Sequence, residues 1–340
     1  MIEKLFLREK IVKSRILNIL TILIIGFIAV QLEAGNKIAQ TGFQFLSVTS
    51  DAHTSSLGDA VTAREMGSAS LFSNPAALAK IDGTIEANFS MSKWIAEINH
   101  AVLSIAYKPF NGDYGVIGLS LQSVDYGDFL GTINANNDLG FIETGVFNPK
   151  ALAMGIGYAK SITNQFSVGG HLKATYQNLG NSIIVSNSDY KTKQNTVSAI
   201  AFDFGTQFDT EFKRIVFGMT IRNFSDEIEY EVESFQLPLL FTIGASTSLF
   251  EWIPINPVDQ ELLVSIDVSH PRSHPEQIKI GLDYTLMNIL SLRSGFISNN
   301  DEDAFSFGAG IQYSGFHFDY AYSPFGVFDK VQRITAKISL

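Results

Sequence analysis

The sequence predicts an all-β protein: a fourteen-stranded antiparallel transmembrane β-barrel, with a short helical plug made from its own N-terminal segment. Three observations lead there. Beyond Gly83, apolar and polar residues alternate with period two in one segment after another, the pattern of strands with a single apolar face. The connections alternate between tight turns and long polar loops, as the short inner turns and longer outer loops of bacterial outer-membrane barrels do. The chain also opens on a basic and then apolar stretch that marks it for export. A soluble β-sandwich alternates too, with its apolar face inward. Against it stand the export stretch, a last strand that runs to Leu340, and a set of tyrosines (107, 158, 176, 284, 313) closing the apolar face near strand ends, where an aromatic girdle would sit.

Residues 1–34 read as a signal peptide. Lys4, Arg8, Lys10, Lys13 and Arg15 form a basic front, Ile16 to Val30 is apolar, and Leu32-Glu33-Ala34 resembles a cleavage site before Gly35. A retained membrane helix is the alternative, although a span takes ~20 apolar residues. Residues 35–82 are expected to form the plug. The stretch 51–82 is rich in small residues, which let backbone pack closely against its surroundings. Asn74 before Pro75 is an N-cap followed by proline at the first helical position, opening a short helix through Ala76, Ala77 and Leu78. Leu57, Gly58, Asp59 and Ala60 are expected in a second short helix, capped by Ser55 or Ser56. A surface linker with one helical turn is the alternative for this stretch.

Residues 83–340 are the barrel. Strands are expected near 84–93, 100–108, 114–126, 150–160, 165–179, 195–209, 213–223, 238–249, 261–269, 276–286, 289–298, 304–313, 315–323 and 330–340. Residues 127–149, 180–194 and 224–237 are then long external loops. Phe202, Phe204, Ile280 and Leu282 fall on the lipid-facing parity. On the other parity stand glycines 118, 155, 157, 169, 205, 218, 281, 308 and 310. A strand glycine often marks close approach of another backbone, so the lumen is expected to be filled; an open porin would carry rings of charge there. Two inner-face ion pairs are expected across neighbouring strands, Asp267 with Lys279 and Asp283 with Arg293.

The 340 residues contain no cysteine, which excludes disulfides and thiolate chemistry. A net charge of −10 argues against nonspecific nucleic-acid binding, which needs cationic surface. The six histidines are scattered, and neither a metal nor a cofactor is expected. His100 and Ser104 sit four residues apart on one strand, ~13 Å between them, with no third partner evident. The acidic run at 226–233 and the loop at 299–303 read as solvated loops, with Ca²⁺ or a basic partner as the alternative for the run. No catalytic site emerges, and an enzyme is not expected.

Leu57-Gly58-Asp59-Ala60 followed by Asn74-Pro75-Ala76-Ala77-Leu78 resembles a motif of the PorV/PorQ family, relatives of the FadL-type barrels. The resemblance continues through Ser92 to Ile98, Ala151 to Lys173, Arg222 to Ser225, Phe235 to Pro238 and Asp267 to Pro271, and closes on Tyr320-Ala321-Tyr322 with Phe325-Gly326. It implies an outer-membrane barrel with an N-terminal plug. It further implies a role in type IX secretion or kindred export, with translocon components or the C-terminal domains of client proteins as partners beside outer-membrane lipid. A FadL-like transporter of hydrophobic small molecules is the second reading. The two differ in an observable way: a transporter needs an apolar pocket between plug and wall, whereas a shuttle keeps its lumen packed and docks clients on its loops.

Overall fold

Strands with one apolar face become a lipid-stable structure only when each pairs on both sides, because an open edge in lipid leaves N–H and C=O groups without partners. A computed structural model describes residues 41–340 apart from 187–188, 231–232, 254–257, 301–303 and 329. The expected signal peptide and residues 35–40 lie outside the described residues. Along the chain the strands are β1 (Ile85–Lys93), β2 (Asn99–Tyr107), β3 (Val116–Asp125), β4 (Phe129–Asn134), β5 (Phe141–Phe147), β6 (Lys150–Ser161), β7 (Phe166–Ser186), β8 (Asp189–Asp209) and β9 (Val216–Phe224). They continue as β10 (Ile228–Tyr230), β11 (Glu233–Phe235), β12 (Leu240–Ser248), β13 (Gln260–Pro271), β14 (Gln277–Leu286), β15 (Leu290–Ile297), β16 (Phe305–Tyr313), β17 (Phe316–Pro324) and β18 (Lys330–Ser339). All but β4, β5, β10 and β11 form one closed antiparallel barrel of fourteen strands in chain order. β1 closes it against β18, with Ala87 opposite Ile338.

The start of β1 and the end of the chain share one end of the barrel, where the amides of Thr84 and Ile85 both donate to Leu340 O. The tight turns lie at this end. Between β16 and β17, Ser314 (φ 51°) and Gly315 (φ 83°) take the paired left-handed conformations that a two-residue hairpin demands. The opposite end carries the long connections, and here the structure corrects the expectation of plain loops. Residues 180–194 are largely strand: after a bulge at Asn178, pairing resumes at Asn181 with Gln194 and continues to Ser186 with Asp189. The segments at 127–149 and 224–237 each fold back as a hairpin, β4 on β5 and β10 on β11. Their polarity reflects position beyond the apolar band, where strands have no lipid to face, and not absence of strand.

On the barrel's outside, Phe202, Phe204 and Leu282 are exposed and Ile280 is half-buried. Tyr107, Tyr158 and Tyr313 are exposed toward the tight-turn end, and Tyr176 toward the other. The core is the lumen. Residues 41–84 run down it, beginning at the long-loop end, where Thr41 bridges Gln236. The plug contains one α-helix, Ala52–Ser56, and 3₁₀ turns at Gln44–Ser47, Gly67–Phe72 and Pro75–Lys80. It is apolar where it meets the wall near either end. Phe43, Phe45 and Leu46 pack on Val124, Ala151, Ala153, Ala201 and Leu237, and Leu71, Leu78 and Ile81 pack on Ala106, Val116 and Ala159.

Candidate functional site

The plug–wall interface follows from the small residues on both sides. A Cβ at Gly205 would sit 1.9 Å from Asn74 Oδ1, one at Gly169 would sit 2.4 Å from Pro75 O, and one at Gly218 would sit 2.2 Å from Thr62 O. Gly281 and Gly308 meet Leu57 and Ser56 in the same way. Gly295 and Gly244 belong to this lining too, against Gly58 and Thr62, although the sequence reading did not include them.

Within the plug, Asn74 accepts a hydrogen bond from Ala76 N at 3.1 Å, and Pro75 stands at the first position of its 3₁₀ turn. The same side chain donates to Thr62 O at 2.7 Å and Thr206 O at 3.1 Å. The second expected helix is displaced. It covers Ala52–Ser56, is capped by Asp51, whose Oδ1 accepts from Thr54 N at 2.7 Å, and stops before Gly58 and Asp59, both at φ 58°. Two consecutive left-handed residues cannot continue a right-handed helix. They turn the chain instead, so that Gly58 N reaches Ser306 Oγ at 3.1 Å.

Between the two apolar ends the plug is tied by polar contacts. Arg64 Nη2 lies 2.7 Å from Asp283 Oδ2, Thr62 N donates to Asp267 Oδ2 at 2.9 Å, and Ser246 Oγ donates to Ala63 O at 2.9 Å. Gln207 donates to Thr62 O and Arg64 O, Arg333 Nε to Thr49 O, and Ala52 N to Thr335 Oγ1. Of the expected charge partners, Asp283 stands opposite Arg293, and Arg293 Nε is 3.2 Å from Asp283 Oδ1; its Nη1 also contacts Asp319. Asp267 stands opposite Lys279, but the two do not form the expected pair. Lys279 Nζ turns to Asp59 at 3.7 Å, and Asp267 takes the Thr62 amide. A plug carrying its own carboxylate and amides competes for both wall charges. His100 and Ser104 are likewise separate, His100 edge-on to Trp94 and Ser104 bonded to Ser68. Among the described residues, no group of three His, Asp or Glu gathers as a metal site.

Among the described residues, two cavities between plug and wall share part of their lining. The outer one, about 300 Å³, opens under the long-loop end. Its lining is mixed: Trp94, Leu239, Leu240, Ile297 and Phe325 supply the apolar part, and Asp59, Lys279, His274 and Arg333 stand among many polar groups. The inner one, about 50 Å³, reaches Leu71, Val102, Lys173 and Arg222. Val48, Thr49, Asp59, Leu240 and Lys279 border both. Ligand pockets run from ~300 Å³ upward, and one water needs ~10–15 Å³. The outer cavity therefore accommodates a small ligand, and the inner one only a few waters until the plug shifts.

No protein-family model and no curated protein matches the chain. Solved structures do. The Pseudomonas putida toluene transporter TodX matches with a TM-score of 0.57 at 13% identity, over 89% of this chain and 98% of that one. The Ralstonia pickettii toluene transporter TbuX matches at 0.55 and 11% identity, over 84% and 96%. A Pseudomonas aeruginosa FadL homologue matches at 0.53 and 11% identity, over 90% and 100%. The fold is the FadL-type barrel. The finer resemblance to PorV/PorQ proteins finds no support among these structures.

Proposed function

We propose that this chain is exported by its N-terminal signal and carries small hydrophobic molecules across a bacterial outer membrane. The observation that supports this reading is the outer cavity, a space between plug and wall of mixed lining, with an apolar part at Trp94, Leu239, Leu240, Ile297 and Phe325. A molecule enters from the long-loop end, with its apolar part against Trp94 and Phe325 and any polar head near Lys279 and Arg333. Passage requires the plug to move, because the inner cavity is too small for such a molecule. Many polar plug–wall contacts suit that movement, since water can replace them when the plug shifts, whereas an exposed apolar interface has no substitute. The two toluene transporters of the same fold agree with a hydrophobic cargo.

Trp94 supplies the test. The chain has two tryptophans, and Trp252 lies at the tight-turn end against Lys213. Purified Trp252→Phe protein in detergent is titrated with toluene and with decanoate while Trp94 emission is recorded. Saturable quenching by either is expected, together with faster uptake of that compound into vesicles holding the protein. Unchanged emission and unchanged uptake, with a secreted client's C-terminal domain co-purifying, would return the secretion reading in its place.

A further inference from the structure

The wall holds a group of three side chains directly under the plug, whose imidazole also meets the plug backbone at Leu71. Ser120 Oγ lies 2.7 Å from His171 Nε2, and His171 Nδ1 lies 3.2 Å from Asp203 Oδ2. The three come from β3, β7 and β8, and β6 lies between the first two. His171 crosses it at Gly155, where a Cβ would stand 2.2 Å from Nε2 and 2.8 Å from Ser120 Oγ. Asp203 is fixed by the Asn223 amide at 2.7 Å and by Lys173 Nζ at 2.8 Å. With Nδ1–H donating to the carboxylate, Nε2 accepts from the serine hydroxyl, the tautomer a serine nucleophile needs.

The plug covers this group. Leu71 packs beside the imidazole over Gly157. Two donors next to Ser120 are occupied by the plug: Ser104, directly opposite on β2, bonds Ser68, and Gln122 bonds Phe45 O. Moving the plug uncovers the serine and frees both donors at once.

We propose that Ser120, His171 and Asp203 form a serine-hydrolase site for esters of apolar carboxylic acids, masked until the plug moves. The proposal rests on the plug movement argued above. Ser120 Oγ attacks the ester carbonyl and its proton passes to Nε2, while Asp203 stabilises the imidazolium and Ser104 and Gln122 face the oxyanion. The bond to the alcohol oxygen breaks, and the alcohol leaves with that proton. Water, deprotonated by His171, then cleaves the acyl-serine to the carboxylic acid and restores the hydroxyl.

The test uses a fluorophosphonate probe and p-nitrophenyl butyrate on full-length protein in detergent, comparing wild type, Arg64→Ala, Ser120→Ala and Asp203→Asn. Arg64→Ala removes a plug contact and leaves Asp283 with Arg293, and its bilayer conductance reports plug movement independently. An adduct on Ser120 by mass spectrometry is expected, forming at least tenfold faster in Arg64→Ala. Hydrolysis should vanish in Ser120→Ala and fall at least a hundredfold in Asp203→Asn. Heat-modifiable gel migration shows that each variant is folded. If Arg64→Ala conducts yet Ser120 stays unlabelled, the hydrolase is overturned and transport stands. If neither protein is labelled and conductance is unchanged, both proposals fall.

Discussion

Asn74, fully buried, uses one amide for three bonds: its oxygen caps the turn at Ala76, and its nitrogen holds Thr62 O on the plug and Thr206 O on the wall. Removing the cap costs about 1 kcal/mol, and losing the donated bonds adds ~0.5–1.5 kcal/mol each, with Thr62 O keeping Gln207 as a donor. Asn74→Asp keeps the accepting oxygen and loses the donor. We expect Asn74→Ala to speed amide hydrogen exchange across residues 76–80 and Asn74→Asp to do so more, because its buried carboxylate would face Thr62 O and Thr206 O, with the barrel amides unchanged in both. Equal exchange in Asn74→Ala and the parent would show that the cap contributes nothing. The cap was legible in the sequence because capping is local. The wall partner was not, because Thr206 approaches only once β8 is in register.

Among the elements, β8 carries both faces of the argument in adjacent residues. Phe204 is exposed on the outside and Gly205 lies against Asn74. Phe204→Arg puts a charge toward lipid and should destabilise the barrel by ~2–4 kcal/mol near the midplane, read as a lower urea midpoint for folding into vesicles. Gly205→Leu should act on the plug instead. Its side chain would overlap Asn74, so the barrel should still form and single-channel current should rise. If Gly205→Leu lost the barrel while Phe204→Arg kept it, the inside and outside of β8 would be exchanged. Alternation made these two faces readable, but it ended β7 early and began β8 late. Beyond the lipid band both faces are polar, and period two carries no signal even where pairing continues.

At the scale of the molecule, the barrel closes through backbone pairing of β1 with β18, and no strand pair depends on the plug. Deleting residues 43–82 should therefore leave a barrel that inserts and conducts small solutes. The deletion removes Phe43, Leu57, Leu71 and Leu78, all buried, together with the partner that Asp283 finds in Arg64. Planar-bilayer recording checks this, and near-zero current with and without these residues would mean that they do not obstruct the lumen.

What the sequence determined by itself is whatever repeats locally: the strands, their inward and outward faces, the glycine-lined interior and the capped turn at Asn74. Each depends on residues within a few positions of one another, and lipid outside the barrel enforces the alternation. Only the tertiary structure decided which partners meet across the lumen. Register set Asp267 opposite Lys279, as local pattern implied, yet the plug's Asp59 and Thr62 took both charges. Ser120, His171 and Asp203 came together across four strands because Gly155 leaves a path for the imidazole. Contacts of that kind join distant segments through a closed sheet and the chain packed inside it, and no local periodicity encodes them.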